Sequence, residues 1–154
     1  MTVGPEGSSI IGHPGPGMFY LAKAPEGVDL NDWDGDGDWF KIRELGPVKE
    51  AKATWEVAPG SNSMNVTIPQ TVPPGKYLLR TEHLYLKSGI GQTDYYVSCT
   101  HLEIEGPGGG TPGPTVKFPG AYDNWDISIW PPFRIKWETD LSGYKAPGPD
   151  VWTG

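Results

Sequence analysis

The chain has 154 residues, room for one domain rather than two. Glycine (22) and proline (17) make up about a quarter of it, yet 7 Trp, 7 Tyr and 4 Phe exclude the aromatic-poor composition of a disordered chain. A formal net charge of −7 argues against nucleic acid as a partner, and no apolar run is long enough to span a membrane.

Residues 1–17 read as loop. Within them His13 lies in Gly12-His13-Pro14-Gly15-Pro16-Gly17. Proline fixes φ and glycine permits unusual backbone angles, so this histidine is held in a stiff loop at the mouth of a strand. That setting suits a surface metal ligand better than a core residue, although on residue chemistry alone a loop histidine with a structural hydrogen bond is the favoured reading. Met18 to Ala24 reads as a short buried strand. The acidic stretch Asp29 to Asp38 has oxygens at alternate positions, but it lacks a glutamate at position twelve and flanking helices, so it reads as a solvated loop rather than a calcium site.

Trp39 to Glu44 is the next strand, ended by Gly46-Pro47, and Asn65 to Ile68 another, ended by Pro69. Asn65-Val66-Thr67 also forms a glycosylation acceptor triplet. The turn Pro73-Pro74-Gly75 launches the strongest strand, Lys76 to Leu86. Its residues Leu78, Leu84 and Leu86 share one parity, interrupted by Arg80 and Glu82. His83, mid-strand, reads as a buried, hydrogen-bonded residue. Asp94 to Glu105 is the last strand, with Tyr96, Ser98, Thr100, Leu102 and Ile104 on one face and His101 on the other. The breaker-rich run Gly106 to Pro114 is loop. The tail carries Tyr122, Trp125, Trp130, Phe133, Trp137, Tyr144 and Trp152 without periodicity, which reads as core or loop anchoring. Several short strands between turn signals predict an all-β sandwich.

Residue chemistry alone does not name a reaction. Three histidines are too far apart in sequence to make a local site, and zinc spacings, nucleophile elbows, phosphate loops and dinucleotide fingerprints are absent. The single cysteine, Cys99, cannot form an internal disulfide.

Five blocks in order are more specific. They are Gly12 to Lys23; Val72 to His83, carrying Pro74-Gly75-Lys76-Tyr77-Leu78-Leu79-Arg80-Thr81-Glu82-His83; Tyr95-Tyr96-Val97-Ser98-Cys99; Phe118-Pro119-Gly120-Ala121-Tyr122; and Tyr144 to Thr153. Together they resemble the fungal lytic polysaccharide monooxygenases of auxiliary activity family 9 (formerly glycoside hydrolase family 61). The resemblance implies an immunoglobulin-like or fibronectin-like antiparallel β-sandwich with long loops. Residues 1–154 would be a single partial domain whose amino-terminal strands lie upstream of Met1.

What the resemblance implies chemically is a secreted, extracellular enzyme. It would cleave cellulose or a related β-glucan oxidatively by hydrogen abstraction at C1 or C4, using one copper ion, O2 or H2O2, and an external electron donor. It would act as a monomer, without nucleic acid or membrane. His13 would be the internal copper ligand and Tyr96 the axial tyrosine. The other histidine ligand, at the mature amino terminus, is absent from this sequence, so the chain itself is expected to hold Cu(II) weakly. Cys99 would be a half-cystine whose partner lies in the family's amino-terminal region, and Tyr144 would lie on the flat face that meets cellulose. The chain departs from the family pattern at Lys87, where a histidine is usual, and at Asp94, where a glutamine is usual and Gln92 lies two residues earlier. These groups neighbour the metal. The rival implication is a non-catalytic extracellular sandwich that binds polysaccharide and has lost its copper site. A weaker one is an unrelated adhesion domain.

Overall fold

A computed structural model describes residues 2–3, 10–48, 54–131, 141 and 143–154. Every element among them is a strand: β1 (Thr2–Val3), β2 (Gly17–Lys23), β3 (Trp39–Leu45), β4 (Met64–Asn65), β5 (Gly75–Tyr85), β6 (Asp94–Ile104) and β7 (Thr115–Val116). Five of them form one sheet in the order β6-β5-β2-β3-β7, with antiparallel pairing throughout, and β1 pairs with β4 in a second, two-stranded sheet.

The central strand β2 explains the architecture. Met18 to Ala22 are fully buried without alternation, because the sheet is covered on both faces. Met18, Tyr20 and Ala22 join Trp39, Leu78 and Leu84 in one core, which the carboxy-terminal loops close with Phe118, Tyr122, Ile129 and Leu141. Phe19 and Leu21 join Phe40, Ile42, Tyr77 and Leu79 on the other face, covered by Val57, Met64, Val66 and Val72. Burying each such large side chain contributes about 1.5–3 kcal/mol. The result is an all-β sandwich, as the sequence predicts, whose covering layers are largely loop.

The four long strands fall where the Gly and Pro breakers place them, with ends displaced by one residue. Three details differ from expectation. Thr2–Val3 forms β1 inside the segment read as loop, paired Thr2↔Asn65 and Val3↔Met64. The strand expected over Asn65 to Ile68 contracts to Met64–Asn65, because β1 offers only two residues of pairing; Val66 still enters the core from irregular backbone. β7 closes the sheet edge beside β3 just after the glycine-rich loop. The Asp29 to Asp38 loop is folded on its own side chains. Asp29 Oδ1 accepts from the Asn31 backbone N–H, and Asp36 Oδ1 accepts from Trp33 Nε1.

Arg80 and Glu82, which interrupt the apolar parity of β5, turn inward as a paired network. Glu82 is fully buried. Its Oε1 lies 2.5 Å from an Arg80 guanidinium nitrogen, and its Oε2 accepts a short hydrogen bond from the Tyr122 hydroxyl. Tyr122 also meets the Tyr20 hydroxyl at 3.0 Å, and the Arg80 guanidinium lies 4.2 Å from the Phe118 ring centre. Lys41, equally buried, donates to Glu44 at 3.1 Å and to the Pro147 carbonyl at 2.9 Å. Burial with charge and hydrogen-bond partners is what makes these polar side chains tolerable on a core face.

Candidate metal centre

The His13 loop closes over the carboxy-terminal end of β5. Gly15 N–H donates to the Val57 carbonyl at 3.3 Å, and Leu84 N–H donates to the Pro16 carbonyl at 3.0 Å. Gly15 lies so close to the Leu84 carbonyl that any Cβ there would collide with it, which is why this position takes glycine.

His83 fastens the same loop from below. It is buried, and its Nδ1 and Nε2 face the carbonyl oxygens of Pro16 at 3.2 Å and His13 at 3.1 Å. Burial pushes its imidazolium below the ordinary histidine value, while the two carbonyls pull the other way. A neutral ring donates to one of these two carbonyls and packs against the other, so His83 is structural, in keeping with its mid-strand position in the sequence.

Register places the rest. Gly17, His83 and Tyr96 form one row across β2, β5 and β6. Tyr96 is 48% exposed, and its ring centre lies 6.1 Å from that of His13, with planes 26° apart. The structure thus brings together the two residues singled out from positions 83 apart in the chain. Two residues beyond His83 on the same strand face, Tyr85 stacks on His13 with ring centres 4.0 Å apart and planes 12° apart. The sequence reading assigned Tyr85 no part. The available signal was its parity with His83 on an alternating strand.

Lys87 and Asp94 meet at the rim, with Nζ 2.6 Å from Oδ2. The hydrogen bond to Asp94 holds the Lys87 ammonium above its usual value. Lys87 Nζ also lies over the Tyr85 ring, 5.4 Å from its centre. The Lys87 backbone N–H donates to Thr93 Oγ1 at 3.2 Å, and Thr93 in turn donates a short hydrogen bond to the Ile129 carbonyl. The two departures from the family pattern therefore form one ion pair beside His13 and Tyr96. Gln92 lies in the exposed turn below them, its backbone N–H on the Gly89 carbonyl at 3.3 Å.

The other candidates lie apart. Cys99 is an exposed free thiol opposite Arg80 in register, on the opposite sheet face from Tyr96. Burial pushes its pKa up, and Arg80 partly opposes that. His101 is exposed on that same opposite face. Tyr144 corrects the expectation of an open aromatic platform. Its ring packs edge-on against Trp55 with centres 5.0 Å apart, and its hydroxyl donates to the Ser128 carbonyl at 2.9 Å. It is held in the core layer because its hydroxyl finds a buried acceptor there. Trp125, at 71%, is the more exposed aromatic ring. Phe133 and Trp137 lie outside the described residues.

Comparison with known proteins gives this cluster a family. The model of Auxiliary Activity family 9 (formerly GH61) matches residues 2–144. The chain belongs to this family. It is 43% identical over 157 residues to AA9 family lytic polysaccharide monooxygenase H of Malbranchea cinnamomea, covering 99% of this chain and 66% of that relative. It is 46% identical over 148 residues to AA9 family lytic polysaccharide monooxygenase C of Emericella nidulans, covering 94% and 62%. Among solved structures, a cellulose-active polysaccharide monooxygenase from M. thermophila matches with a TM-score of 0.74 at 28% identity, covering 94% of this chain and 68% of that one. The extended catalytic domain of H. jecorina LPMO9A matches with a TM-score of 0.77 at 29% identity, covering 92% and 57%. The chain thus spans less than two thirds of the length of these curated relatives.

The family is copper-dependent, so the donor set bears on the fit. His13 contributes an imidazole nitrogen, a good donor for copper, and Tyr96 a neighbouring phenol. Among the described residues, no group of three or more His, Cys, Asp or Glu side chains could hold a metal ion. One imidazole and a neighbouring phenol are donor types compatible with copper.

Proposed function

We propose that this chain carries the internal half of a mononuclear copper site in a secreted lytic polysaccharide monooxygenase acting on cellulose or a related β-glucan. The observation that supports it best is the His13–Tyr96 pairing. An imidazole on a proline-stiffened loop and a phenol on an edge strand meet at an exposed rim within a fold shared with this family.

In this reading His13 would supply an imidazole donor to copper and the Tyr96 phenol would lie beside it. When bound, copper supplies one-electron chemistry with O2 or H2O2 and an external reductant, ending in hydrogen removal at a sugar C1 or C4. The chain's own residues provide placement. His83 packs against the His13 and Pro16 carbonyls and donates to one of them, holding the backbone of the His13 loop. The Lys87–Asp94 pair puts a fixed ammonium and carboxylate at the rim, where a hydroxyl-rich substrate can hydrogen-bond. Cys99 is the candidate half-cystine of the longer protein, and residues 1–154 are read as part of one monomeric domain.

Calorimetric titration with Cu(II), on the chain and on its His13→Ala variant, tests the ligand. Weak binding that His13→Ala abolishes is expected, and binding indifferent to that change would refute the assignment. Product analysis on amorphous cellulose with reductant, using a form extended to the length of its relatives, tests the activity. Oxidised oligosaccharides are expected. Cellulose retention without products would favour a non-catalytic polysaccharide binder instead.

A further inference from the structure

The proposed copper site leaves Tyr85 unexplained. Its ring belongs to neither hydrophobic core. It is instead laid almost flat on His13, with 4.0 Å between ring centres and 12° between planes. Stacking of near-parallel, offset rings is one of the favourable arrangements for an aromatic pair, and these two rings are in direct contact. The tyrosine is itself restrained. It sits at the last position of β5, paired across the ladder with Asp94. Asp94 binds Lys87, and the Lys87 ammonium lies over the same tyrosine ring.

We propose that Tyr85 is a positioning residue for His13, setting the plane of its imidazole and thereby the direction in which its nitrogen lone pair can meet a metal. This rests on the copper reading above. An imidazole nitrogen binds a metal along a line in the plane of its ring. Two constraints are needed to aim that line. The backbone must be held, and rotation about the side-chain bonds must be restricted. His83 meets the first through the His13 carbonyl. Tyr85 meets the second, because turning the imidazole out of its present plane breaks the stack. Tyr96 stacks less closely, with ring centres 6.1 Å apart and planes 26° apart, so Tyr85 is the nearer and more parallel ring. Tyr85 touches the ligand rather than the reacting atoms, so its part is orientation.

The test begins without metal. In NMR spectra of the metal-free chain, the His13 ring protons should show an upfield ring-current shift. Tyr85→Phe keeps the stacking ring and should keep that shift. Tyr85→Leu keeps apolar bulk and should abolish it. In Cu(II) titrations Tyr85→Phe should match the parent chain. Tyr85→Leu should bind about 2- to 10-fold more weakly, the range an aromatic pair is worth, with broadened copper hyperfine lines in the electron paramagnetic resonance spectrum. His13 shifts that ignore Tyr85→Leu would overturn the stack and the proposal with it. His13-dependent copper binding whose affinity and spectrum ignore Tyr85→Leu would overturn the positioning role alone. Copper binding insensitive to His13→Ala would overturn the copper reading itself, and the proposed role toward the metal would fall with it.

Discussion

Glu82 and His83 are adjacent in β5, both are buried, and they face opposite sides of one sheet. On the Glu82 side the strand looks into a closed layer, where a carboxylate, a guanidinium and two phenols answer one another. On the His83 side it looks toward a rim, where a histidine loop, an exposed tyrosine and a solvent-facing ion pair gather. Strand alternation makes this division. A polar side chain on the closed face must bring its own partners. One on the rim face can leave donor capacity to a ligand. The strand is therefore a wall between a closed polar network and the rim cluster proposed to hold the metal.

Breaking the closed face should have the largest effect. Glu82→Gln removes the negative partner of Arg80, and such a loss costs about 3 kcal/mol, toward the low end for broken buried pairs because Arg80 is partly exposed. Urea unfolding at neutral pH measures it. His13-dependent copper binding should survive wherever the variant is folded, and its loss would show that the two faces are not independent.

The rim face should yield a smaller stability change with a functional consequence. His83→Leu removes the one N–H that His83 can donate to the His13 or Pro16 carbonyl, at a cost of about 1–3 kcal/mol. Copper affinity should fall with it, because the backbone of the ligand loop is released. Loss of stability without any change in copper affinity would remove His83 from the site.

The two faces should also answer to opposite ends of the pH scale. Burial raises the phenol pKa of Tyr20, Tyr122 and Tyr144 well above the ordinary 10.0. A raised folded pKa stabilises the protein below the unfolded value and loses that contribution as pH rises, so the tyrosine contribution should be constant up to about pH 10 and fall above it. His83 has a lowered folded pKa, so its contribution is present above the ordinary histidine value of 6.5 and is lost as pH falls toward the folded pKa. In urea titrations, His83→Gln should flatten part of the slope below the ordinary histidine value of about 6.5 and leave the alkaline limb untouched. An alkaline limb that moves with His83 would contradict the division.

The smallest effect is expected at the rim ion pair. Lys87 and Asp94 are both exposed, and solvent screens such pairs. Lys87→Met should leave the melting temperature unchanged. A clear drop would mean that the contact with the Tyr85 ring, rather than the ion pair, holds this corner.

Much of this was legible before any tertiary contact. Gly46-Pro47 and Pro73-Pro74-Gly75 bound their strands because proline removes a ladder donor and glycine allows the turn, and the observed ends differ by one residue. His13 stood out from its Pro/Gly frame, His83 from its mid-strand position, and the opposed faces of Tyr96 and His101 from parity alone. The five blocks named the family. Other features depend on which segments meet. β1 and β4 exist only because residues more than sixty positions apart supply each other's hydrogen bonds, a non-local pairing that two-residue segments do not announce. Arg80 and Glu82 break the apolar pattern of β5 and read as errors until Tyr122 and Phe118 arrive from the far end of the chain. Tyr144 carries a family motif, yet Trp55 and the Ser128 carbonyl turn it inward. Local sequence specifies backbone angles, hydrogen-bond capacity and side-chain parity. The partner that satisfies a buried charge or covers an imidazole face is fixed only when register and loop closure bring distant residues within a few ångströms.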